Sequence, residues 1–141
     1  MVGNTDVFHS NIRQAFSDIG REAMDGSYST VVLRAVFAGW LIALMVWMLP
    51  YAESARVTVI IIITFIVGLG GFAHIIAGSV EVFQLAVTSQ VGWDRVIAWV
   101  LSTLTGNIIG GVSLVAALNH AQVIAGKRRN RENRVLGQTE S

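Results

Sequence analysis

The chain has 141 residues, 53% of them hydrophobic and 13% charged, with a formal net charge of +1 and no cysteine. That composition is far from an ordinary soluble domain and reads as an all-α integral membrane protein. It excludes a disulfide framework, a thiolate metal site and a cysteine nucleophile.

Residues 1–29 come first. MVGNTDVFHS lacks a basic n-region and an apolar h-region, so it is not expected to be a secretory signal. FHSNIRQAFSDIGREAM places Phe8, Ile12, Phe16, Ile19 and Ala23 close to helical spacing. It predicts an amphipathic helix that lies on the membrane surface or docks on the rest of the protein. Three spans follow in a membrane domain over 30–125, each long enough to cross a hydrocarbon core that takes about 20 apolar residues. The first runs over about 30–51 and is closed by Pro50, with Arg34 about one turn inside it and able to snorkel.

The second span, over about 57–88, is rich in β-branched residues, and the bilayer's demand that every backbone group be paired makes it a helix. Gly68, Gly70, Gly71 and Gly78 bracket His74. So many glycines are costly in a helix interior, so the span is expected to be broken near 74–80, where the freed backbone would line a watery cavity or binding site. The alternative is that these glycines serve close helix packing. His74 is either a neutral packing residue or a marker of a proton or substrate path, and Glu81 is either an interfacial carboxylate or a site residue.

The third span covers about 93–123, with Trp93 and Trp99 as interface anchors. Ser102, Gly106 and Gly110 recur at four-residue intervals beside Asn107 and Gly111, which predicts a packing stripe. For Asn107, bracing an irregular loop through its amide is the alternative. The tail over 126–141 carries five of the ten Lys and Arg in KRRNRENR, so the C-terminus is expected on the cytoplasmic face of the plasma (inner) membrane and residues 1–29 on the outer side. Its last residues, GQTES, are expected to be unstructured. No nucleophile and base pair, phosphate loop or metal-ligand spacing is present to suggest an enzyme, a metal or a cofactor, and nothing points to nucleic acid as a partner.

GGFAHIIAG at 70–78 and GNIIGG at 106–111, in successive spans, resemble the C-terminal half of the formate/nitrite transporter family; the likeness covers about residues 8–125. It implies an aquaporin-like inverted-repeat fold, of which this chain holds one three-helix repeat with a broken second helix, assembled in the bilayer as a homopentamer with one pore per protomer. It also implies a missing N-terminal three-helix repeat, the chain being either a fragment of a longer reading frame or a half that pairs with a separate one, and small monovalent anions of weak acids such as formate, nitrite or hydrosulfide as substrates. His74 matches the family's pore histidine, with Gly71, Phe72, Gly78 and Glu81 beside it. The family's glutamate before that histidine is Ala73 here, and its asparagines stand at Gly78 and at about Gly39. A non-transporting membrane scaffold is the alternative function that these departures suggest.

Overall fold

The computed structural model describes residues 10–139, with side chains defined to Arg129 and at Arg131. Five α-helices follow one another: α1 (Ser10–Ala23), α2 (Tyr28–Met48), α3 (Arg56–Leu69), α4 (Ile75–Val87) and α5 (Trp93–Thr139). Among the described residues there is no β-strand. Two helices, over Tyr28–Tyr51 and Trp93–Arg129, are long and apolar enough to cross a membrane. Only 22% and 6% of their most apolar windows are buried within the chain. A soluble protein would hide such helices in its core, so their bare apolar surface belongs against lipid or other apolar helices.

Several helix boundaries have a local cause. Ser27 caps α2, its Oγ accepting from the Thr30 amide at 3.3 Å. Pro50 sits in a 3₁₀ turn directly after Met48, where its missing N–H ends the α-helical ladder. α3 ends in a Schellman motif: Gly71, at φ +57°, is the left-handed residue, its amide donates to Gly68 O at 3.1 Å, and the Phe72 amide donates to Val67 O at 3.1 Å. The chain is therefore non-helical at 70–74, ahead of the 74–80 expected from the clustered glycines. Gly71 is the stop signal, and Gly78 lies inside α4. α5 continues past residue 123 through the basic tract to Thr139, so residues 137–139 of the expected unstructured end are helical. Ala, Lys, Arg, Glu and Leu are good helix formers, and no proline interrupts them.

Packing centres on α2 against α5. Ala35 and Ala38 are fully buried, and a Cβ built at Gly106 or Gly110 would meet α2 backbone at Val32 O (2.5 Å) or Val36 O (2.2 Å). Ser102 lies on the same face, buried, with its Oγ bonded to Ala98 O at 2.6 Å. Gly111 departs from the expected packing role. Nothing in the chain lies within 4 Å of a Cβ there, because the next residue around the helix turns away from α2.

α1 docks along α4 through Gly20, whose place for a Cβ is bounded by Glu81 O at 3.0 Å and the Leu85 side chain at 3.1 Å. A polar clasp joins their ends. Arg21 Nη2 donates to Gln90 Oε1 at 3.0 Å, and Gln90 Nε2 donates to Ser17 Oγ at 2.9 Å and Thr88 Oγ1 at 3.0 Å. Of the expected apolar stripe, Ile12, Phe16 and Ile19 remain exposed while Ala23 is half-buried, and Phe8 lies outside the described residues. Trp99 is a correction as well: it is 4% exposed and its Nε1 donates to Ala23 O at 2.8 Å, so it ties α5 to the end of α1 instead of facing the interface.

The two neighbouring glycines of α5 give a direct check. Gly110→Ala should lower stability in detergent by about 1–3 kcal/mol, since its methyl must displace α2 backbone. Gly111→Ala should be neutral or slightly stabilising through helix propensity. Thermal unfolding of the two variants separates them, and equal losses would contradict this packing.

Candidate functional site

The site is built around the five residues between α3 and α4. A non-helical segment leaves backbone donors and acceptors unpaired, and in a bilayer each orphan costs several kcal/mol. The side chain of Asn107, on α5, meets that demand. Its Oδ1 accepts from the Ile75 amide at 3.1 Å, which is the first orphan donor of α4. Its Nδ2 donates to Ala73 O and to Ala35 O, each at 2.9 Å. The amide orientation is fixed by these partners, because a flipped amide would set N–H groups against Ile75 N–H and oxygen against two carbonyls. Asn107 is thus the brace of the irregular segment, the alternative reading of the sequence, and not merely part of a packing stripe.

Close backbone approach makes the brace possible. A Cβ at Gly39 would lie 2.5 Å from Asn107 O, so α2 can come near enough to offer Ala35 O only with glycine at this position. The same geometry explains one departure from the family pattern, since an asparagine at Gly39 would collide with α5. The other is explained by Trp99: a Cβ at Gly78 would lie 2.4 Å from its Cη2. The indole occupies the space into which a side chain at 78 would grow.

The braced segment presents its residues to a cavity of about 640 Å³. Gly71, Phe72, His74, Gly78 and Glu81, the five expected site residues, all line it. His74 is extended backbone (φ −107°, ψ 126°) at the N-cap position of α4, half-buried, and its ring makes no hydrogen bond to the described residues. Phe72 is half-buried, packed against Gly70 and 5.7 Å from the ring of Phe37. Gly78 is buried beneath Trp99, so it contributes backbone wall and no polar group.

The cavity wall also carries the charged side chains of Glu22 and Arg34, together with Ile42, Thr64 and Val67. Arg34 was legible only as a snorkelling charge. The structure instead turns it into the cavity wall, with Nη1 donating to Asp25 O at 3.2 Å. Trp99 was missed for the same reason, because an aromatic residue near the start of a span reads as an anchor unless the glycine opposite it is known.

Replacing Asn107 tests the brace. Asn107→Leu leaves the Ile75 donor and the Ala73 acceptor unpaired and should cost about 2–5 kcal/mol. Asn107→Asp keeps an acceptor but sets a carboxylate against two carbonyls, and should lose no less. An unchanged melting temperature in both would show that the segment is held by other means.

With this geometry established, comparison with known proteins gives the lineage. The formate/nitrite transporter family model matches residues 1–121. The inner membrane protein YfdC of Escherichia coli (strain K12) is 41% identical over 118 residues, covering 83% of this chain and 38% of that protein. The uncharacterized transporter YrhG of Bacillus subtilis (strain 168) is 25% identical over 103 residues, covering 71% of this chain and 38% of that protein. The matched part of the chain thus covers 38% of the length of each of these relatives, and no solved structure matches it. The two glycine motifs fall within the matched region, and the chain belongs to the formate/nitrite transporter family.

Proposed function

We propose that this chain forms one wall of a transmembrane passage for small monovalent anions of weak acids, such as formate or nitrite, with His74 at its narrow point. The observation that carries the reading is the placement of His74 on a braced, non-helical segment lining the 640 Å³ cavity, within a transporter family. In this reading α3 and α4 are the halves of a broken membrane helix. A second three-helix unit of inverted topology closes the passage, the protomers assemble as a homopentamer in the plasma membrane, and the basic end of α5 lies in the cytoplasm.

An anion entering an apolar constriction loses its hydration at a cost far above that of its neutral conjugate acid. A proton donor at the constriction relieves that barrier. An imidazole with no hydrogen-bond partner among the described residues is available to donate to the anion, and the positive end of α4, which begins at the next residue, adds potential of the right sign. Phe72 supplies the apolar constriction beside it.

A second reading, a membrane scaffold that does not transport, draws on Ala73 and on the filled spaces at Gly39 and Gly78, where polar family residues are absent. Flux measurement separates the two. In proteoliposomes holding the assembled protein, formate or nitrite flux should be present and should rise as pH falls. In His74→Asn the flux should drop about tenfold or more and lose that pH dependence, the size expected for one positioned proton-handling group. An identical pH profile in the variant removes His74 from the mechanism, and absence of flux in the parent favours the scaffold.

A further inference from the structure

A separate recess of about 280 Å³ lies on the far side of the α1–α4 clasp, lined by Arg21, Met24, Asp25, Gly26, Val91 and Arg95. It is formed where the α1–α2 turn meets the start of α5. Two guanidinium groups and one carboxylate give it a net charge of +1. Arg21 uses one nitrogen on Gln90 and keeps further N–H groups free to donate. Arg95 is exposed and its side chain has no hydrogen-bond partner among the described residues.

Depth identifies what such a recess meets. The apolar run of α5 begins at Val96, directly after Asp94 and Arg95, so Arg95 stands at the end of the spanning part of the helix and not within it. Exposed aromatic residues stand close in sequence to the lining of the recess: Tyr28, 67% exposed, two residues after Gly26, and Trp93, 55% exposed, two residues before Arg95. Such rings mark the level of lipid headgroups.

We infer that the Arg21–Arg95 recess binds the phosphodiester of a membrane phospholipid. The single negative charge of a phosphodiester matches the net +1 of the recess, and its oxygens suit the fixed donor forks of two arginines. A lipid held there would tie the α1–α2 turn to the start of α5 at the membrane boundary. The inference is independent of the transport reading.

The test is lipid retention. The protein in its membrane assembly is extracted in mild detergent and followed by native mass spectrometry during titration with phosphatidylglycerol, phosphatidylcholine, diacylglycerol and inorganic phosphate. Both phospholipids should bind and diacylglycerol, which has no phosphate, should not. Arg95→Gln should weaken phospholipid binding about tenfold, Arg95→Lys should retain most of it, and the helical content of both should stay at the parent level. Phospholipid binding unchanged in Arg95→Gln overturns the inference, as does equal binding of diacylglycerol. Phosphate binding that depends on Arg95 without phospholipid retention would assign the recess to a soluble oxyanion and overturn the lipid.

Discussion

The amide of Asn107 is the interaction on which the rest of this structure depends. A bilayer accepts a helix because its backbone is internally paired, and it rejects a chain that stops being helical unless something else supplies the missing bonds. Here the ladder stops at Leu69 and resumes at Ile75, and one side chain from another helix bonds to the segment's Ala73 carbonyl, to the first amide of α4 and to a carbonyl of α2. No apolar side chain can do this. Neither can an acid, which lacks the two donors.

The packing around it follows from how closely three backbones must approach. Gly39 lets α2 touch α5 at Asn107 itself, and Gly106 and Gly110 admit Val32 and Val36 on either side. Burial in lipid gives no hydrophobic premium for joining two apolar helices, so close van der Waals contact and hydrogen bonds have to hold them. The same economy appears at the other end of the site, where Gly78 accepts the indole of Trp99 and the indole N–H reaches Ala23 O. The positions that depart from the family pattern are therefore filled by neighbours.

Much of this was legible in the sequence, and the remainder was hidden for definite reasons. Length and apolar content identify the helices that can cross a membrane, and the motifs at 70–78 and 106–111 identify the family. Clustered glycines announce an interruption in the helix but do not locate it, because only one of them, Gly71, takes a positive φ there. The four-residue spacing correctly marks Gly106 and Gly110, yet periodicity cannot tell which neighbour lies outside the contact, and Gly111 does. Asn107 bonds to partners 32, 34 and 72 residues away, separations that a linear reading does not connect. Trp99 and Arg34 look interfacial by position, and only the glycine opposite one and the carbonyl opposite the other show where they turn.

From the brace the site follows: a segment fixed at both ends, a histidine at the start of a helix, an aromatic ring beside it, and a cavity whose wall carries both charged and apolar side chains. The account stands on that cavity being a watery passage that His74 faces. Because the chain has no cysteine, single-cysteine labelling of the assembled protein in membranes reads this directly. Cysteine at position 74 should react with a small water-soluble methanethiosulfonate, while cysteine at the fully buried position Val82 should not. No reaction at 74, or reaction no faster than at 82, would contradict the account.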